Sequence, residues 1–439
     1  MSTKPKIIVL DDDPTGSQTV HSCLLLMKWD VETLRLGLRD DAPIFFILTN
    51  TRSLTPESAA SVTKEVCENL KLALAAEQIH DFLVVSRSDS TLRGHYPIET
   101  DVIAQELGPF DAHFLVPAFF EGGRFTRDSI HYLIIDGVPT PVHETEFAHD
   151  SVFSYHHSYL PKYVEEKTQG RIREDAITRF LLADIRQGSL ERLLQLQGNQ
   201  CAVVDGEKQA DLNQFAQDIL TAAGQGKRFL FRSAASILTA LAALPPQPIA
   251  AENMAEYVRY DQPGAVIVGS HVKKTTQQLE ALLKLDGTVG IEVNVSRLLE
   301  DSNASSQLLT EILDKIQMVH NGGQTPVVYT SRQELTFPDV KTRLDFGAQV
   351  SSLLMDIVRG LPSDIGFLIS KGGITSNDVL STGLALTSAR LLGQILAGCS
   401  MVITPSDHPL FPNLPVVLFP GNVGNAEALG TIYQRLTRK

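Results

Sequence analysis

Residues 7 to 20 read IIVLDDDPTGSQTV: four apolar residues, three consecutive aspartates, then a proline-threonine-glycine-serine turn. The apolar run has the β-branched character of a strand buried on both faces. Three carboxylates in a row repel one another and favour neither strand nor helix, so the strand must end at them. Two explanations are open. Either the turn is merely acidic and solvated, or the carboxylates are gathered to hold a cation, a sugar hydroxyl or a phosphoryl group.

The same grammar recurs along the chain. KIIVL, PIFFILT, DFLVVS, HFLVPA, CAVVD and RFLF are short, apolar runs that read as buried strands of a parallel sheet. Helical patterns separate them, such as PESAASVTKEVCENLKLALAAEQ (56–78) and EDAITRFLLADIRQGSLERLLQL (174–196). The rhythm pauses at LPPQPIAAENMAEYVRYDQPG (244–264), where three prolines fall within four residues. A second series follows: AVIVGS, TVGIEVNV, TPVVYTS, IGFLIS, CSMVIT and LPVVLF. Its predicted helices include KKTTQQLEALLKL, SQLLTEILDKIQMVH and SNDVLSTGLALTSARLLGQILAG. The expected fold is therefore two α/β domains with mostly parallel sheets, 1–244 and 264–439, joined by a linker at 245–263. Two such domains facing across a cleft would form a common kind of ligand site.

The totals narrow the function. With 38 basic and 51 acidic side chains the net charge is −13, which argues against a nucleic-acid partner and its basic footprint. No apolar run reaches the length of a membrane span, and the IIVL after MSTKPK is too short for a signal-peptide core. A cytoplasmic protein with no membrane partner is expected. Cys23, Cys67, Cys201 and Cys399 are widely spaced without a CxxC pair, so they read as structural thiols. The oligomeric state stays open, a homodimer being one option.

The functional candidates fall at strand-to-helix turns. In the first series DDDPTGS, TNTRSLTPES, SRSDSTLRGHYP and VPAFFEGGRFTRDS each follow a predicted strand. Parallel neighbouring strands would bring all four turns to one edge of the sheet. Together they carry Asp11, Asp12, Asp13, Thr15, Arg52, Asp89, Ser90, Thr91, Arg93, Arg124 and Arg127. An arginine fork grips a carboxylate or phosphate bidentately. Aspartates accept hydrogen bonds from sugar hydroxyls or bind magnesium through oxygen. A polyhydroxy acid needs both kinds of group. Helix caps and surface ion pairs would explain one such turn; four in succession point to a binding site.

In the second series GSHVKKTTQQLE, SKGGITSND and FPGNVGNAEAL each join a strand to a helix through glycine. Such turns let backbone N–H groups approach phosphate oxygens. None matches the Walker or GxGxxG pattern, and one glycine turn alone is often only conformational. Three in one sheet, with Lys371 beside Gly372 and Gly373, point to a nucleotide site. Thr375 or Ser376 is expected to cap the helix after Gly373. His156 and His157 are adjacent and read as a solvated loop, and Trp29 as a core or rim residue. No metal ligand is assigned.

These turns resemble the motifs of the four-carbon acid sugar kinases. D-D-x-T-G is similar to Asp12-Asp13-Pro14-Thr15-Gly16, and S-R-x-x-x-P to TRSLTP with Arg52 at the arginine. K-x-D-S-T-x-R-G resembles RSDSTLRG, with Arg87 at the lysine and Asp89, Ser90, Thr91 and Arg93 retained. PAFFEGGR ends in Arg124 as P-A-F-x-x-x-G-R does, and TEFAHD resembles a segment ending in Asp150. The second half is looser. GSHVKKTTQQ keeps Gly269, Ser270, Thr275 and Gln278 of G-S-C-S-x-x-T-x-x-Q but has Val272 for the second serine. KGGIT has Ile374 where T-G-G-E-T has glutamate, and FPGNVG has Phe419 where K-S-G-x-x-G has lysine. Lys371, Lys273 and Lys274 are the cations available to stand in for that lysine.

The resemblance implies ATP-dependent phosphotransfer, assisted by Mg2+, to a hydroxyl of an acid sugar such as threonate, erythronate or 3-oxo-tetronate. The N-terminal domain would hold the sugar acid and the C-terminal domain ATP. On that basis Arg52, Arg87, Ser88, Asp89, Ser90, Arg93 and Arg124 would grip the sugar acid. Asp12 would hydrogen-bond it, and Asp12 or Asp13 would orient the attacking hydroxyl and take its proton. Ser270, Lys371, Gly372, Gly373, Ile374, Thr375 and Gly421 would cradle ATP. Two rivals stand beside this reading. Asp11-Asp12-Asp13-Pro14-Thr15 also fits the D-x-D-x-T signature of haloacid-dehalogenase-type phosphatases, with Asp11 as nucleophile, Asp13 as acid/base and Thr49 in the second motif. A non-catalytic acid-sugar binding protein is the other.

Overall fold

The computed structural model describes residues 5–299, 303–332, 335–337, 339–421 and 423–437. It divides into two compact units, Met1–Pro246 and Gln247–Lys439.

The first unit contains β1 (Lys6–Asp11), β2 (Leu24–Leu26), β3 (Ile44–Leu48), β4 (Phe82–Arg87) and β5 (Ala112–Val116). After these come β6 (Arg124–Arg127), β7 (Ile130–Ile135), β8 (Val138–Pro141), β9 (Thr178–Phe180), β10 (Gln200–Val204) and β11 (Phe229–Ser233). The main sheet runs β2-β3-β1-β4-β11-β5-β10-β9, every pair parallel. Its central runs are apolar because helices cover both faces. Ile8, Leu10, Phe45, Ile47 and Val84 pack beneath Val66, Leu70 and Leu74 of the helix Pro56–Ala76. That helix starts where it does for two local reasons: Thr55 accepts the Ser58 N–H, and Pro56 fills a first-turn position that needs no N–H donor. Further along the same face Leu115, Cys201 and Val203 meet Tyr155, Tyr163 and Leu160, and on the other face Phe114 packs against Phe215 of the helix Gln209–Gly224. A separate antiparallel sheet, β6-β7-β8, forms from the segment after β5.

The second unit contains β12 (Ala265–Val268), β13 (Thr288–Val293), β14 (Thr325–Thr330), β15 (Leu368–Lys371), β16 (Ser388–Leu396), β17 (Cys399–Ile403) and β18 (Pro415–Phe419). The order β13-β14-β12-β15-β18 is parallel, and β17 and β16 add antiparallel strands beyond β18. The proline-rich segment joins this unit: Met254 is buried in its core, and the Gln247 amide bonds the Ile249 and Gln394 carbonyls.

Both units are α/β with mainly parallel sheets, as the apolar runs require. Two predicted helices are different. The stretch 376–398 is not one helix: a short helix Gly373–Asp378 ends in a wide turn, and Ser388–Leu396 is a strand paired with β17. Hairpin pairing overrides helix propensity there, with Gly398 in the left-handed turn between the two strands. The stretch 174–196 likewise breaks into edge strand β9 and two helices, Leu182–Gln187 and Leu190–Gln195, divided at Gly188. Helical periodicity hid both breaks.

Among the described residues no helix is long and apolar enough to cross a membrane. All four cysteines are buried free thiols.

Candidate functional site

Register builds the first site. Leu48, Asp11, Arg87, Ser233 and Val116 are successive partners across five parallel strands, so the turns that follow leave the sheet side by side. The chain passes from β1 to β3 on one side and to β4 on the other. The carboxyl end of β1 is therefore the switch point at which open α/β sheets bind ligands.

At that point Asp12 is 2% exposed and gripped by Arg52, whose Nη2 and Nε donate to its Oδ1 at 2.5 Å and its Oδ2 at 3.1 Å. Ser88 Oγ donates to the same Oδ2 at 2.5 Å. Arg52 Nη1 also reaches Asp13 Oδ2 at 3.3 Å, and the Thr15 amide and hydroxyl bond Asp13 Oδ1. Burial works against the Asp13 charge, but Arg52, Arg87 and Thr15 outweigh it and hold the carboxyl below its ordinary value. Asp89 bonds Arg93 Nε at 2.7 Å and the Thr91 hydroxyl. There too burial is overcome by Arg93 and Arg52, and the carboxyl stays ionised. Arg93 in turn lies 3.5 Å from Asp150 and over the Phe147 ring.

Arg124 differs from these arginines. It has no carboxylate partner among the described residues, its Nε is buried without an acceptor, and it lies over the Phe119 ring. Burial weighs against its charge, which Asp89 supports.

Sequence reasoning missed what lies beneath. Arg232, on β11, is 4% exposed and donates to Ser86 (2.9 Å), Ser88 (2.6 Å) and Glu99 (2.7 Å). Glu99 also accepts from Thr51 at 2.6 Å. A buried guanidinium thus fixes the serine that fixes Asp12. A Cβ on Gly94, which sits at φ +117°, would fall 2.4 Å from Ser88 Oγ and 2.5 Å from Arg232 Nη2. Glycine is required there. The available signal was an arginine inside the otherwise apolar run FLFRS.

The predicted set of Asp12, Asp13, Arg52, Ser88, Asp89 and Arg93 is brought together. Arg87 lies lower, 5% exposed and 3.3 Å from Asp11. Ser90 is buried, and its carbonyl accepts from His131. Arg127 faces outward to Glu207. Asp11 is fully buried, and burial, partly offset by Arg87, pushes its pKa up to about 7. A Cβ on Gly16 would strike its carboxylate at 2.0 Å, so the turn closes over the group. That enclosure is wrong for the open nucleophile of the phosphatase reading. Thr49 is spent on the Asp11 carbonyl and Thr51.

The second unit gathers its turns by the same means. Tyr329, Val268, Lys371 and Phe419 are successive partners across β14, β12, β15 and β18. Gly372, at φ +120°, begins the helix Gly373–Asp378, and a Cβ on it would lie 3.1 Å from Ser270 Cβ and 3.2 Å from Thr375 Oγ1. Ser270 Oγ accepts from Thr275, which also donates to the Gly421 carbonyl. Arg332, which the sequence reading passed over, donates to the Ser270 and Thr330 carbonyls. Ser270, Gly372, Thr375 and Gly421 are therefore gathered in one place, where the turns present backbone and hydroxyl groups. Their close packing disfavours a side chain at Gly372, as in turns that offer peptide N–H groups to phosphate oxygens. Thr375 and Ser376 lie inside the helix and do not cap it; Gly372 takes that position without a side-chain bond. Ile374, in the same turn, is 71% exposed. Lys371 is fully buried, with its ammonium turned to the Pro420 and Gly421 carbonyls. Asn422, in the same turn, lies outside the described residues.

Comparison with known proteins matches residues 7–241 to a sugar-binding N-terminal domain and residues 265–429 to a nucleotide-binding C-terminal domain. The chain is 24% identical to a D-erythronate kinase of Heliobacterium modesticaldum, across 99% of this chain and 97% of that one. It is also 24% identical to a 3-oxo-tetronate kinase of Pectobacterium atrosepticum, across 96% and 97%. Crystal structures from Salmonella typhimurium LT2 (TM-score 0.72, 19% identity, 99% of each chain) and of Haemophilus influenzae protein HI1011 (0.63, 17%, 98% and 100%) share the fold.

Proposed function

This chain belongs to the four-carbon acid sugar kinase family, and from that premise we propose that it transfers the terminal phosphoryl group of ATP to a hydroxyl of a small four-carbon acid sugar. One observation carries the reading. Asp12 and Asp13 are paired with Arg52, and Asp89 and Asp150 with Arg93, while Arg124 has no carboxylate partner among the described residues. A ligand that brings one carboxylate and several hydroxyls fits that imbalance. Its carboxylate pairs with Arg124, and its hydroxyls find acceptors in Asp12, Asp13 and Asp89.

Asp13 is the more open of the central pair, its side chain 22% exposed against 2% for Asp12. The arginine that keeps Asp13 ionised makes it a pure acceptor, suited to orienting a hydroxyl and taking its proton as the oxygen acquires its new bond. Asp12, forked by Arg52 and bonded by Ser88, fixes Arg52 and the β1 turn. In the second unit the backbone and hydroxyl groups around Ser270, Gly372, Thr375 and Gly421 would receive the phosphates of ATP. No group of three or more histidine, cysteine, aspartate or glutamate side chains among the described residues forms a metal site. Magnesium enters as the ion that travels with ATP and neutralises phosphate charge, and no residue is assigned to it.

The test is a coupled ADP-release screen over threonate, erythronate, their oxo forms and five-carbon acids. ADP release that depends on one acid sugar supports the proposal. Calorimetric binding of an acid sugar without ATP binding would instead support a sensor, and phosphate release from sugar phosphates a phosphatase.

A further inference from the structure

Lys371 raises a physical problem that the proposed function does not answer. Its side chain is fully buried, and no carboxylate faces it among the described residues. The ammonium donates to the Pro420 carbonyl at 2.5 Å and the Gly421 carbonyl at 3.3 Å, and it lies 3.9 Å from the centre of the Phe419 ring. The ionisable neighbours on packed elements are the Cys399 thiol on β17, which burial holds neutral, and Lys274 on the helix Lys273–Leu282. A buried cation without a counter-charge is costly, so an unmatched one marks a place where an anion belongs.

Its bonds also have a direction. In a planar trans peptide the C=O and the next N–H point opposite ways. Drawing the Pro420 carbonyl inward onto Lys371 turns the Gly421 N–H the opposite way, away from the lysine, in the turn that lies beside Ser270. We infer that Lys371 is a positioning residue for the phosphates of a bound nucleotide: from beneath the turn it aims peptide N–H donors at them and supplies the missing positive charge. The inference rests on the nucleotide reading of this unit and deepens it. It moves Lys371 from a direct contact to a support one layer below. Burial, with a smaller contribution from Lys274, brings its pKa down to about 7. An anion bound above would favour the ammonium, so nucleotide binding takes up a proton near neutral pH.

Calorimetry with ADP on the full chain tests this, using wild type, Lys371→Met and Lys371→Gln. The expected result is at least a tenfold loss of ADP affinity in Lys371→Met, with acid-sugar affinity unchanged. Should that variant fail to fold, Lys371→Gln, which keeps a donor for the carbonyls, carries the same comparison. Wild-type affinity should also weaken from pH 6.5 to 8.5 by several-fold more than that of the glutamine variant, a difference that a purely structural lysine would not produce. Equal affinities, or parallel pH profiles, overturn the inference. A wild-type chain that binds no adenine nucleotide defeats the prior reading of the unit instead.

Discussion

At the rim of the first unit charge is matched by charge: Asp12 and Asp13 share Arg52, Asp89 and Asp150 share Arg93, and Glu99 holds Arg232 below. Under the glycine turns of the second unit a single ammonium is matched only by peptide carbonyls and an aromatic face. The difference suits two kinds of ligand. A paired network of rigid forks can discriminate among hydroxyl arrangements, because each misplaced group leaves a buried partner unsatisfied. A cluster of peptide groups reads only the shape and charge of a phosphate chain.

The sharpest way to break this comparison is at Asp13. Asp13→Asn should lower turnover by about 10³-fold, about 4 kcal/mol of barrier, while ADP affinity of the second unit stays within twofold. Retained turnover sinks the assignment. Next comes Arg232→Met, which strands Glu99 as a buried charge. Denaturant unfolding of the first unit should lose about 3–5 kcal/mol, and adding Glu99→Gln should recover part of it. Full stability in the single variant would mean that Glu99 is not held as described. In the second unit Gly372→Ala forces a side chain into the left-handed region beside Ser270, at a cost of about 1–3 kcal/mol. Calorimetry should show ADP affinity down about tenfold or more and acid-sugar affinity intact.

The last effect is a change of slope and concerns Asp11. Its folded pKa of about 7 lies above the ordinary aspartate value, so the folded state binds the extra proton. That stability is fully present below about pH 4 and is lost as pH rises through 7, with a slope of at most about 1.4 kcal/mol per pH unit. Asp11→Asn should flatten the profile of unfolding free energy over that window. An unchanged slope would show that Asp11 is ionised throughout.

Most of the first site was legible because its residues are consecutive in sequence and its strands are parallel. Once DDDPTG, TRSLTP and RSDSTLRG are placed at strand ends, neighbouring strands must bring them together. Arg232 was not legible, since a buried arginine in a strand and a surface one look alike until Glu99 arrives from a distant helix. β16 was not legible either: its apolar residues satisfy a helical period until β17 pairs with it. Lys371 could be read as a charge near glycines, but not as one turned inward. The direction of a side chain at a strand end depends on register, and register is a property of the partner strand.

The four cysteines carry a practical consequence. Burial raises the thiols of Cys67, Cys201 and Cys399 to about 12, so the reactive thiolate is scarce and shielded while the fold is closed. Modification by a soluble disulfide reagent must wait for local opening. Cys23, Cys67 and Cys201 sit in the first unit and Cys399 alone in the second. Peptide-resolved labelling rates would therefore time the breathing of each unit separately, and ligand-induced slowing at one clock but not the other would reveal which unit a compound engages.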